Sequence, residues 1–157
     1  MSNGVDGPDL AAQCAAIGWV RPSRRACSFN STPRVGQYFW VDFPHDAYSP
    51  EFVGEHPGIV VRAARTLVDT CIIVPVTSTP QPEQKHNRKL SKNPNPRTPH
   101  TDAWAICDHV YTVHRARLRP CTAQFGNHVF PKVDQGDLEA IFAALAGAFP
   151  KIGKEQS

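Results

Sequence analysis

The chain has 157 residues, 41% of them hydrophobic and 20% charged, with a formal net charge of +3. That length suits one domain able to bury a core without staples, and no apolar run approaches the roughly 20 residues that span a bilayer. Five cysteines (Cys14, Cys27, Cys71, Cys107, Cys121) form no C-x-x-C pair, which argues against a disulfide framework and for a reduced, cytoplasmic setting. The N-terminus lacks a basic region followed by an apolar one, so no secretory signal is expected. Between Pro80 and His100 stand Lys85, Arg88, Lys89, Lys92 and Arg97 with two histidines and a single acid, Glu83, and Arg21, Arg24, Arg25 and Arg34 form a second basic region. Such patches suit a nucleic-acid backbone, although basic runs are also common on ordinary solvated surfaces.

In chain order, residues 1–8 read as disordered. Asp9 is placed to cap a short helix with Leu10, Cys14 and Ile17 on one face, ended by Gly18. From Trp19 to Arg34 there is no period. Tyr38, Trp40 and Asp42 then alternate with Phe39, Val41 and Phe43, which predicts a strand with one face in a core. Pro44 and Pro50 break the ladder and bound a charged loop. Gly54 to Gly58 leads into a second strand at Ile59–Val61, and a basic turn follows with Arg62 and Arg65. Cys71–Val76 is almost continuously apolar, as in a strand buried on both faces, and it ends in Thr77-Ser78-Thr79-Pro80.

His86–Leu90 reads as an exposed strand, and Asn93-Pro94-Asn95-Pro96 as a loop, since each residue before a proline is pushed out of the helical region. Ala103–Val113 reads as one or two strands with a bend near Asp108. Asp134 is the expected N-cap of a final helix in which Leu138, Ile141, Phe142, Leu145 and Phe149 form the apolar stripe. Trp40 and Trp104 read as core. Strands first and one terminal helix last make a mainly β protein of the α+β class.

Four segments, YFWVDF (38–43), EHPGIVV (55–61), PVTST (75–79) and CDHVYTV (107–113), resemble in this order the MazF/PemK family of toxins from bacterial toxin–antitoxin pairs. Arg117-Leu118 matches a further family pair. The resemblance covers roughly residues 35 to 120, with the last helix matched by pattern only. It implies a small, strongly curved, SH3-like antiparallel barrel over residues 35–150, preceded by an N-terminal extension (1–34) and followed by a short tail (151–157).

The resemblance also implies an endoribonuclease that cleaves single-stranded RNA, in particular mRNA, with sequence preference. It needs no metal or other cofactor and leaves 2′,3′-cyclic phosphate and 5′-hydroxyl ends. Its expected partners are the RNA, a second copy of the chain, and an antitoxin whose acidic disordered tail fills the RNA groove. Metal-free cleavage needs a base for the 2′-hydroxyl, an acid for the leaving 5′-oxygen and donors for the phosphorane. Carried over by position, Thr77 would hold the phosphate, Asp108 would match the family aspartate, and His56 stands where the family usually has arginine. Arginine is a permanent planar clamp for phosphate, whereas histidine is a proton carrier without that fork. Glu55 is expected to orient His56 or share in proton transfer, and Arg62 or Arg65 to supply charge. Ser78, Lys85, His86, Arg88, Lys89 and His109 complete the expected RNA contacts. Each has a plainer alternative: Thr77 and Ser78 as turn caps, His56 as a turn residue, Asp108 as a bend former. Cys107, His109 and His114 do not make a convincing zinc set, because a strand would scatter them over both faces. Two other functions fit the same barrel: a nucleic-acid-binding module without cleavage, and a gyrase poison resembling CcdB.

Overall fold

A computed structural model describes residues 27–149 apart from 64, 66–69, 83–85 and 124. The expected first helix, Arg21, Arg24, Arg25, Lys85 and the tail lie outside the described residues. In chain order the described elements are β1 (Tyr38–Phe43), β2 (Gly54–Arg62), β3 (Thr70–Thr77), β4 (Asn87–Lys89), β5 (Trp104–Ile106), β6 (Tyr111–His114), β7 (Leu118–Arg119), β8 (Cys121–Thr122), β9 (His128–Val129) and a helix, α1 (Gln135–Ala148). Seven strands make one sheet in the order β4-β5-β3-β2-β1-β7, with β6 also paired to β3. Every pairing is antiparallel, and β8 and β9 form a separate hairpin.

The period-two pattern of β1 feeds two cores rather than one. Phe39, Val41 and Phe43 pack with Phe29, Val60, Ile73 and Leu118 on one face. Tyr38 packs on the other, among Ile59, Val74, Val76, Ile141 and Ala144. The second face is buried because α1 lies over it, so Tyr38 gains an apolar cover where plain alternation places solvent. Each fully buried large side chain contributes about 1.5–3 kcal/mol.

Strand β2 begins at Gly54, ahead of the expected Ile59. Its first four residues pair only with β1, from Phe43↔Gly54 to Trp40↔Pro57. Pro57 is tolerated there because that stretch has a ladder on one side alone. β3 is central, as its apolar run implies, but it changes neighbours along its length. It pairs β2 from Pro75 back to Ile72 and β6 from Ile73 back to Thr70, while Val76 and Thr77 pair β5.

The bend expected near Asp108 is the turn between β5 and β6. β4 is less exposed than its sequence suggests: Asn87 and Arg88 are half-buried, and the following Leu90 enters the core beneath α1. In α1, Ile141 and Ala144 are buried, but Phe142 and Phe149 remain 43% and 58% exposed. The sheet-facing stripe runs instead through Leu138, Ile141, Ala144 and Leu145. Asp134 is the N-cap by position, yet its side chain makes no cap bond. It and Asp137 reach Ser91 instead.

Candidate active site and nucleic-acid interface

The last rung between β2 and β3 is Gly58↔Pro75. Beyond it the strands part, because β3 goes on with β5 while β2 stays with β1. His56 and Thr77 each lie two residues past that rung, one on either lip of the split. By the alternation of the pleat both share a face with Gly58, Val60 and Ile73. A hollow of about 310 Å³ opens at the split, lined by Tyr38, Trp40, Pro57 and Val76 of the opposite pleat face as well as by His56, Thr77, Ser78 and Thr79, with Asn93, Asn95, Thr98 and Thr101.

Thr77 Oγ1 accepts the backbone N–H of Thr79 at 3.1 Å. That contact is the turn-capping role, and it leaves the hydroxyl hydrogen available as a donor. The His56 ring is held by aromatic edges, 6.4 Å from the Phe43 centroid and 5.2 Å from Phe52. Phe52 comes from the β1–β2 loop and donates its N–H to the Tyr111 hydroxyl at 3.1 Å. Its ring also lies 6.0 Å from His109, whose Nδ1 is 2.9 Å from Asp108 Oδ1. His56, His109 and Asp108 are thereby gathered around Phe52, while Thr77 shares the hollow with His56.

Other expected residues stand elsewhere. Glu55 neighbours His56 in sequence but points to the opposite face of β2, where its carboxylate accepts from Arg119. It does not orient the imidazole, because successive strand residues face opposite ways. Arg62 is at the far end of β2, opposite Ile72. Six residues separate it from His56, roughly 20 Å at strand rise, so it brings no charge to the split. Arg65 follows in the same exposed turn.

The basic segment is partly committed internally. Lys89 pairs with Asp102 at 2.6 Å and lies over the Trp104 ring at 5.6 Å. The Arg88 guanidinium donates to the Asn87 carbonyl. The His86 carbonyl accepts from Cys107 N–H. Burial pushes the Cys107 thiol up to about 11, against the opposing pull of the nearby Arg88 charge. The thiol beside Asp108 therefore stays protonated near neutrality, and it is not a nucleophile.

The loop from Ser91 to Asp102 escaped the sequence reading except as a break. Asn93 and Asn95 are buried. Asn93 donates to the Thr101 carbonyl at 3.0 Å and accepts from Asn95 N–H, and Asn95 in turn accepts from Arg97 N–H. This side-chain ladder replaces strand pairing as the wall of the hollow. The sequence signal is Asn before proline, twice, in which an Asx turn is the expected use of the amide. Trp40 and Trp104 are only half-buried. Trp40 lines the hollow and also a second one on the other side, with Glu55, Arg97, Arg119 and His128.

Residues 34–145 match the model of the PemK-like, MazF-like toxins of type II toxin–antitoxin systems. The chain belongs to that family. No curated protein matches it in sequence. The crystal structure of MazF (form I) from Deinococcus radiodurans aligns with a TM-score of 0.56 at 17% identity, over 75% of this chain and 96% of that one. The MazE–MazF structure (form II) from the same organism gives 0.52 at 18% identity, over the same shares. At these identities the likeness is one of fold, and it carries the MazF-type curved β architecture with a C-terminal helix. No described helix is long and apolar enough to cross a membrane.

Proposed function

We propose that this PemK/MazF-type toxin is an endoribonuclease that cuts single-stranded RNA with sequence preference, by attack of the 2′-hydroxyl on the adjacent phosphate. The observation that carries the reading is the split between β2 and β3, with His56 on one lip and Thr77 on the other, two residues past the last rung. A phosphate seated there meets the Thr77 hydroxyl, and a proton carrier stands on the facing lip. Single-stranded RNA suits such a site because its unpaired bases are free to splay and be read at their edges. Products ending in a 2′,3′-cyclic phosphate and a 5′-hydroxyl follow from that attack, and protein side chains supply the proton transfers without a metal.

Within this proposal the barrel spans residues 35–150 and works in the cytoplasm as a homodimer. A cognate antitoxin silences it by laying an acidic segment over the rim. The structural likeness to a MazE–MazF complex supports such a partner.

The test is a cleavage assay on a long single-stranded RNA in excess EDTA, with new 5′ ends mapped for the wild type, His56→Ala and Thr77→Ala. Discrete cuts bearing 5′-hydroxyl ends, lost in both variants, are expected. A folded wild type that leaves several RNAs intact contradicts the reading and favours a binding module on the same barrel.

A further inference from the structure

Phe52 touches two imidazoles. Its ring meets His56 at 84° and 5.2 Å, and His109 at 77° and 6.0 Å. The two side chains differ in their partners. Asp108 lies against His109 Nδ1; a carboxylate only accepts, so the contact places a proton on Nδ1, and in the neutral ring Nε2 is then the lone-pair nitrogen. His56 has no carboxylate partner among the described ion pairs, and the ring contacts described for it are with Phe43 and Phe52.

We propose that the reaction is run by two histidines, with His109 as general base, Asp108 as its positioning residue and His56 as general acid. This rests on the ribonuclease reading above. His109 Nε2 takes the proton of the 2′-hydroxyl while the O2′–P bond forms. The P–O5′ bond breaks on the far side, and His56 gives its proton to the leaving 5′-oxygen. The phosphate becomes the 2′,3′-cyclic diester, and each imidazole returns to its starting state by exchanging one proton with water. No other reactant is needed.

Spacing supports the assignment. In-line transfer needs a hydrogen bond at each end, a near-attack O2′···P contact and the breaking P–O bond between them, which puts the two nitrogens roughly 10 Å apart. Both imidazoles touch the one Phe52 ring, which limits their centroid separation to at most the sum of the two contact distances and keeps both within reach of one phosphodiester. Phe52 also presents an apolar edge contact to both rings. Thr77, which does not titrate in this range, keeps the role of phosphate donor.

The experiment compares an oligoribonucleotide with its analogue carrying sulfur in place of the bridging 5′-oxygen. A thiolate leaves without protonation, so the analogue needs a base but no acid. On ordinary RNA, His56→Ala and His109→Ala are each expected to lose about 10²–10⁴-fold in cleavage rate, the usual worth of a positioned acid or base. On the sulfur analogue His56→Ala should recover to near the wild-type rate, whereas His109→Ala should not. Asp108→Asn should lose less than His109→Ala and likewise fail to recover, as a group acting through the base must. Binding of an uncleavable oligonucleotide with a 2′-deoxy sugar at the cut site should be unchanged in all three, which also reports folding. Should His109→Ala fail to bind, His109→Gln takes its place. A His109 variant that cuts ordinary RNA at the wild-type rate, or recovery in His109→Ala rather than His56→Ala, overturns the inference while leaving a ribonuclease. A wild type that cuts neither substrate overturns the ribonuclease reading itself.

Discussion

The Phe52 backbone N–H is bonded to the Tyr111 hydroxyl, so the β1–β2 loop is pinned to β6, the strand that follows the Asp108–His109 turn. Both histidines touch the ring that this bond holds in place. Tyr111→Phe keeps the edge-to-face contact with Phe43 but leaves the Phe52 N–H without its acceptor. The expected cost is about 0.5–1.5 kcal/mol in urea unfolding. Cleavage should fall about tenfold, because small misplacements of catalytic groups are expensive. Faster amide exchange at Phe52 than in wild type is the local check.

Gly58 supplies the last rung before the split, and no side chain fits there. A Cβ would stand 3.0 Å from Ile73 Cδ1, 3.1 Å from Val41 Cγ2 and 3.4 Å from the Val74 carbonyl. Ile73 can turn its terminal methyl aside, but Val41 is fully buried and stiff at χ1. Gly58→Ala should destabilise the fold by about 1–3 kcal/mol, the usual range for overpacking, read as a lower denaturation midpoint with unchanged m-value.

Ser91 ties the loop wall to the start of α1. Its hydroxyl donates to Asp137 at 2.8 Å, and its N–H to the same carboxylate at 3.0 Å. Ser91→Ala removes the hydroxyl bond and keeps the backbone one. A loss of about 1 kcal/mol is expected, with faster proteolysis between residues 91 and 102 as the local readout.

Alkaline pH should weaken the protein through its buried thiols. Burial raises Cys107 and Cys121 from an ordinary 9.0 to about 11 each, and both are fully buried. Below 9.0 the thiols are neutral folded and unfolded, so the full stability is present. Between there and about 11 only the unfolded chain releases these protons, and stability falls as pH rises. Tyr38, also raised by burial, adds to the loss at still higher pH. The fall in urea midpoint across this range should shrink in Cys107→Ala and Cys121→Ala, each compared with its own value at pH 7.

Much of the sheet was legible because its signals are local. The alternation of Tyr38–Phe43 and the apolar run of Cys71–Val76 coincide with β1 and β3, and Asp108 lies in the turn before β6. Features decided by partners were hidden. Nothing between Glu55 and Val61 says that β3 leaves β2 at Gly58, since the cause lies in the pairing of Val76 and Thr77 with β5. The β8 and β9 strands have two residues each, too few to carry a period. Phe142 and Phe149 fit a helical stripe as well as Ala144 does, and only the position of the sheet selects the smaller side chain. At the site, the family resemblance named His56, Thr77, Asp108 and His109, but adjacency in sequence misled at Glu55. Phe52, in contact with both histidines, carries no sequence mark beyond being an aromatic residue in a charged loop.

β3 is hydrogen-bonded to β2, β5 and β6 at once. The part of the sheet behind the loop wall and the part beneath the aromatic rim therefore hang on one eight-residue strand. Withdrawing that strand removes the ladder of β6 and leaves β2 with β1 and β5 with β4 as separate pairs, so the two parts are coupled through it. Heat or urea should take the described domain apart in a single sigmoid, and the slowest-exchanging amides should cluster along β3. An antagonist that wedges the lips further apart then works against the cooperativity of the whole domain rather than the stiffness of one loop.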